Sequence, residues 1–308
     1  MGRVCDRSDK DGHYLISDTQ FCQGLEMNQQ SNAILCPRCR RLVSSDEAQC
    51  PHCGFRRPGA SLGRTYFTRL FYQPDQLIKT IIYINVGMYV LSLLLYTKGI
   101  WLSLNPLNFL SPYIVSLKLL GATGIDANPF GPSIRWWTLI SANFLHGSLV
   151  HLFFNMAVFK QIATLIIREY GSHRMFVLYL LGGIVGFGVS CLAGIRVTIG
   201  ASAAVCSLIG SAIYYGKSRG GLYGQAIYRQ IGAWAAAILV LGLIIPGINN
   251  WGHVGGFLAG IGGGFLLGYT DRKPEASWQR TFALLLALLT AAILSWAAAS
   301  GVYYRVIG

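Results

Sequence analysis

The chain has 308 residues, of which 53% are hydrophobic and only 12% charged, half the charged share of an average soluble domain. That balance points to a bilayer and excludes an ordinary water-soluble domain. The formal charge of +13 does not read as nucleic-acid binding, because the basic residues lie mostly between apolar runs, where they set membrane orientation.

Residues 1–33 are polar and aperiodic and read as a disordered tail. They hold no apolar run of the kind that opens a secretory leader. Asp6 stands where a myristoylation motif needs Ser or Thr, and Met27 is an alternative start. Cys5 and Cys22 lie in this tail with no spacing that argues for pairing.

Residues 36–53 read CPRCRRLVSSDEAQCPHC. Each C-x-x-C knuckle puts two thiolates on one tight turn, and two such turns close a tetrahedron around Zn²⁺. Cys36, Cys39, Cys50 and Cys53 are the candidate ligands, in a small zinc ribbon over 34–58. With four protein thiolates the metal is structural, and His52 is a bystander. A disulfide framework is the alternative, disfavoured on the reducing side of a membrane. The ribbon's own task, binding platform or folding cap, is open at this point. Residues 59–77 are a linker.

Seven apolar segments follow, near residues 78–97, 137–167, 174–195, 200–216, 230–248, 250–269 and 279–303. Each approaches the roughly 20 residues a helix needs to cross the hydrocarbon. Between the first two, residues 98–136 carry Pro106, Pro112, Pro129 and Pro132. This stretch reads as a structured loop in the outer interface, anchored by Trp101, Trp136 and Trp137. Lysine and arginine crowd one side and leave only Lys98, Lys118, Arg135, Arg196 and Arg305 on the other. That bias places the N-terminus in the cytosol and, after seven spans, the C-terminus outside. The expectation is an all-α polytopic membrane protein. A six-helix core spans 78–270, and 271–308 hold an inner loop and a seventh helix.

Polar side chains inside such spans are costly and are functional candidates by default. The second span holds His146, His151 and Asn155, the fourth opens with Ser202, and the sixth holds Asn250 and His253. No Asp or Glu falls inside a span. This removes a two-aspartate protease, an H-E-x-x-H zinc protease and a proton-coupled carrier with an acidic relay. A serine and histidines remain, and such a pair works without a carboxylate when the imidazole accepts the serine proton.

Ser202, in the GASA run, stands at the first turn of its helix, where free backbone N–H groups and the helix dipole suit an oxyanion. A plain capping serine is the bland alternative. Behind His253, Gly252, Gly256, Gly260, Gly264 and Gly268 recur every four residues, a stripe that admits a close neighbour. Gly200, Ala204, Ala203, Ser207 and Ser211 supply the matching small residues. Packing of these faces is expected to bring Ser202 and His253 together at one depth. His151 and Asn155, four apart, share a helix face as oxyanion donors, or as interhelical hydrogen-bonding groups. His146 lies off that face and reads as structural, holding the outer loop to the helix.

Three motifs in order, HGSLVHLFFN (146–155), GASA (200–203) and HVGGFLAG (253–260), resemble those of the rhomboid family. The resemblance implies a six-helix rhomboid-like bundle, here with a seventh helix added. It implies Ser202 as nucleophile, His253 as general base, and His151, Asn155 and the Ser202 amide around the oxyanion. His146, Gly200, Gly256 and Gly260 would then be structural. It further implies transmembrane proteins as substrates and no catalytic cofactor. The ribbon resembles those on many bacterial membrane proteins, which implies a multi-pass protein of a bacterial plasma membrane.

Two positions depart from the family pattern. Trp137-Thr138 stands where Trp-Arg is common, and Cys206 where many members carry an aromatic that packs on the histidine. A non-catalytic relative that binds transmembrane segments is the first alternative. A transporter is the second, and the sequence shows no repeat of the kind it predicts.

Overall fold

A computed structural model describes residues 33–36, 41–44, 46–56, 58–59, 70–96, 101–102, 105, 108–126 and 135–307. Cys39, the tail with its two cysteines, and Met27 lie outside the described residues. The chain divides into two compact units, Met1–Arg64 and Thr65–Gly308.

In the first unit, β1 (Ala33–Leu35) pairs antiparallel with β2 (Leu42–Ser44), with Ile34 opposite Val43. Val43 turns inward onto Cys36 and Cys50. Three residues per strand cannot build a core alone, so the thiol cluster does the work of one.

The second unit is helical. Its long helices are α1 (Pro74–Leu95), α4 (Leu149–Tyr170), α5 (Ser172–Leu192), α6 (Ser202–Arg219), α7 (Gly221–Ile244), α8 (Asn250–Leu267) and α9 (Ser277–Ile307). Five of them, α1, α4, α5, α7 and α9, are long and apolar enough to cross a membrane. The expected seven spans are thus five by composition, with α6 and α8 between them. The reason lies in their polar and small residues. On α6, residues 203–212 are all buried among neighbouring helices, and few side chains are left to face lipid.

Between α1 and α4 the outer loop holds a hairpin of β3 (Trp101–Leu102) and β4 (Phe109–Ser111), α2 (Ile114–Leu119) and α3 (Thr138–Ser141). Trp136 is exposed, whereas Trp137 lies under the Arg135 guanidinium at 4.7 Å.

The second apolar segment is not one helix. It is α3, a 3₁₀ turn (Ala142–Phe144), a bend at 145–148 and then α4. Ser148 breaks it, as the N-cap whose hydroxyl accepts from the His151 N–H at 3.2 Å. The segment 217–229, expected as an inner loop, is helical except for the turn at Gly220. There α7 begins nine residues before its apolar run, because its first turns need not lie in hydrocarbon.

Small residues set the central packing. A Cβ on Gly186 would lie 2.6 Å from the Gly252 carbonyl oxygen and 2.9 Å from the Ala203 Cβ, so α5, α8 and α6 meet at that point. On α8, Gly256 and Gly260 face the carbonyl oxygens of Ala203 and Ser207. Ser211 Oγ donates to the Gly260 carbonyl at 2.9 Å, and Ser207 Oγ to that of Leu178 at 2.7 Å. Close backbone approach and interhelical hydrogen bonds replace the hydrophobic driving force that lipid removes.

The C-terminal helix is tied at both ends. At one, Arg305 Nε donates to the Leu95 carbonyl at 2.7 Å. At the other, Arg174 donates to Gln279 Oε1, the Lys273 carbonyl and the Pro274 carbonyl at 2.9–3.0 Å.

Candidate active site and metal centre

Ser202 is the first residue of α6. Before it, Gly200 has φ +122°, a conformation that disfavours any side chain, and its N–H donates to the Ala142 carbonyl at 2.9 Å. A Cβ there would lie 2.8 Å from both Cε1 and Nε2 of His151 and 3.8 Å from Ser202 Oγ. Gly200 therefore lets the imidazole on α4 and the hydroxyl on α6 approach one point from two sides.

The His151 tautomer follows from its other nitrogen. Nδ1 accepts the Gly147 N–H at 3.3 Å, so a neutral ring carries its proton on Nε2. That N–H is directed to the Gly200 side. One turn on, Asn155 Nδ2 donates to the His151 carbonyl at 2.9 Å and keeps a second N–H. His146 reads as structural in the sequence. It sits on the bend before α4, fully buried, and among the described residues neither ring nitrogen has a hydrogen-bond partner. It touches His151 edge-on, ring centroids 5.1 Å apart. Buried contact of this kind joins the bend to α4 by packing.

His253 lies in the first turn of α8 and is buried, and its Nδ1 has no partner among the described residues. Gly252 beside it and Ala203 beside Ser202 flank the same Gly186 contact, so the two side chains start at one depth. No hydrogen bond joins them among the described residues. Bonds of this kind are often long without substrate and tighten in the reacting complex. No aromatic ring stacks on His253 among the described residues, and Cys206 is fully buried in the core below Ser202.

Sequence reasoning missed Asn249, the residue that fixes the His253 helix. Its Oδ1 accepts the Gly252 N–H at 3.1 Å, capping α8. Its Nδ2 donates to Ser190 Oγ at 2.7 Å and Thr198 Oγ1 at 2.9 Å. Thr198 in turn pairs with Thr123 through both backbone bonds, and Thr138 Oγ1, which donates to the Arg135 carbonyl at 2.6 Å, accepts from Thr123 Oγ1 at 3.0 Å. Thr138, at the position where the sequence departs from the resembled Trp-Arg pattern, thus connects the loop between α1 and α4 to the cap of the His253 helix. A cap signal was present in the adjacent asparagines, but its partners are 50 residues and more away in sequence.

In the first unit, the Sγ atoms of Cys36, Cys50 and Cys53 lie within 4.8 Å of one another. The three could hold a metal ion. Cys36 and Cys53 Sγ are 3.6 Å apart, far beyond a disulfide and near the roughly 3.8 Å edge of a tetrahedron with 2.3 Å zinc–sulfur bonds. The Cys50 knuckle closes through the Gly54 N–H to the Cys50 carbonyl at 2.9 Å. His52 Nδ1 faces Arg41 at 3.4 Å and is exposed.

Comparison with known proteins agrees with the three motifs. Residues 133–270 match the family model described as Rhomboid domain. The chain is 33% identical over 180 residues to RHOMBOID-like protein 4 of Arabidopsis thaliana, covering 56% of this chain and 43% of that protein. It is 30% identical over 171 residues to Rhomboid protease GluP of Bacillus subtilis, covering 56% and 34%. With RHOMBOID-like protein 5 of Arabidopsis thaliana it shares 34% over 174 residues, covering 53% and 55%. The chain thus spans between about a third and a half of the length of these relatives.

Proposed function

Since this chain is a member of the rhomboid family and multi-pass in the membrane, we propose that it is an intramembrane serine endopeptidase acting on transmembrane proteins. The observation that carries the reading is the approach of His151 and Ser202 across Gly200, at the depth where α8 delivers His253.

In this reading Ser202 Oγ attacks the peptide carbonyl and His253 takes its proton. The carbonyl oxygen becomes an oxyanion, held by the His151 Nε2–H, the free Asn155 N–H and the Ser202 amide. Collapse breaks the C–N bond, and the proton on His253 passes to the leaving amine. Water then hydrolyses the acyl-enzyme with His253 again as base.

Ser202→Ala and His253→Ala should each abolish cleavage of a membrane substrate while leaving the folded chain intact. A fluorophosphonate probe should label the wild type and not Ser202→Ala. The missing Ser202–His253 hydrogen bond favours one second reading, a non-catalytic member that binds transmembrane segments. An unlabelled wild type would select it.

The proposal includes a ribbon over 34–58 in which Cys39 completes a structural zinc site with Cys36, Cys50 and Cys53. It also places the N-terminus, α4's inner end and the 168–174, 217–229 and 272–280 segments on the cytosolic side, from the lysine and arginine bias. The membrane core then runs over 78–270, with 271–308 appended. Membership of a bacterial plasma membrane belongs to the same proposal, and epitope accessibility at each terminus tests the orientation.

A further inference from the structure

Between α4 and α7, away from Ser202, lies a groove of about 770 Å³. Its wall is apolar, with Leu165 on one side and Ile231 and Trp234 on the other, yet Lys160, Arg168 and Gln230 also line it. Lys160 is exposed and stands ten residues, about 15 Å, from the end of α4 at Tyr170. Among the described residues it meets no carboxylate and no other hydrogen-bond acceptor. If α4 crosses the bilayer over its length, an ammonium that far from the helix end is costly unless something pairs it. Arg168 is partly satisfied, by Glu169 at 2.8 Å and by the Tyr223 hydroxyl. Glu169 is itself held by Tyr223 at 2.7 Å, which turns that carboxylate to the α7 rim, not to Lys160.

We propose that this groove binds one anionic phospholipid, with its phosphate between Lys160 and Arg168 and its acyl chains along Leu165, Ile231 and Trp234. The two Cα atoms are separated by about 12 Å of helix rise. On the groove, Lys160 has no partner among the described residues, and the Arg168 guanidinium keeps donors beyond those spent on Glu169 Oε1 and the Tyr223 hydroxyl. In this proposal a flexible lysine stem and an arginine thus approach one phosphodiester from either side. Two cations, a set of apolar contacts and a volume of lipid-fragment size fit a headgroup and upper chains. Basic pockets between membrane helices on the side rich in lysine and arginine take such headgroups. A transmembrane segment with a buried acid is the other partner of matching charge, but such acids are rare, whereas anionic lipid surrounds the groove at high concentration. The proposal does not depend on proteolysis.

The test uses the full chain, delipidated in detergent, with equal amounts of phosphatidylglycerol and phosphatidylcholine of identical chains, read by native mass spectrometry. One phosphatidylglycerol should be retained, preferred by about tenfold or more. Lys160→Gln and Arg168→Gln should each lose most of that preference. Lys160→Arg should keep it, as should Lys217→Gln, which changes a cation outside the groove. Equal retention of the two lipids, or a Lys160→Gln chain that binds like wild type, overturns the proposal. So does displacement by millimolar inorganic phosphate, which would mark a site for free anion, or exclusive retention of a glutamate-bearing transmembrane peptide.

Discussion

Asn249→Ala tests the link between the outer loop and the proposed base. The substitution removes the cap on Gly252 and both amide donations, to Ser190 and Thr198. A lost N-cap costs about 0.5–2 kcal/mol and each neutral hydrogen bond about 0.5–1.5 kcal/mol. Because Asn249 is half-buried and water replaces part of the loss, about 2–3 kcal/mol of stability is expected to go. The first turn of α8 then frays, and His253 is one turn from the cap. A displacement of about 1 Å at a reacting group costs about 10²-fold in rate. Cleavage of a reconstituted membrane substrate, measured beside denaturant unfolding in the same detergent, reads both effects. Asn249→Asp keeps the cap but not the amide donors and should fall between. If Asn249→Ala stays within twofold of wild type in kcat/KM, the cap does not position His253 and the reasoning fails.

Gly200→Ala should lower cleavage by about 10²-fold, the loss of one oxyanion donor, because φ +122° is strained and the new methyl pushes His151 aside. An unchanged rate would show that His151 holds nothing. Gly260→Ala drives a methyl into the Ser207 carbonyl and should destabilise by about 1–3 kcal/mol, seen as a lower thermal midpoint in detergent. Glu275, in the segment between α8 and α9, is pushed up by burial, but the hydrogen bond and charge of His173, with help from Arg174, outweigh this and hold its carboxyl below the ordinary value. Its contribution is therefore complete above the ordinary carboxylate range and is lost as pH falls through the lowered value. Wild type should loosen in acid, and Glu275→Gln should be less stable at neutral pH with a flatter acid limb. Strong chelation should release one metal ion per chain, and Cys36→Ser should abolish its binding.

The glycine stripe behind His253 was legible because a four-residue repeat has one meaning on a helix, a face free of Cβ atoms. The partners on α6 were legible for the same reason. The break before α4 was hidden, because LISANFLHGSLV is apolar on average and hydropathy averages over a bend. Only Gly147 and Ser148 marked it, and a cap is read with assurance once its acceptor geometry is seen. The role of Thr138 was not legible at all. It depends on Thr123 and Thr198, brought together by a pairing between two loops that no periodicity announces. Likewise the short hydrophilic stretch around Gly220 hid the early start of α7, since span-finding follows hydrocarbon and not hydrogen bonding.

The two helices that carry Ser202 and His253 fall outside the five apolar enough to cross a membrane. Their residence in the bilayer is borrowed from companions: α6 emerges between the strongly apolar α5 and α7, and α8 between α7 and α9. Biogenesis is therefore collective. A nascent chain halted before α9 would hold α8 without its second escort.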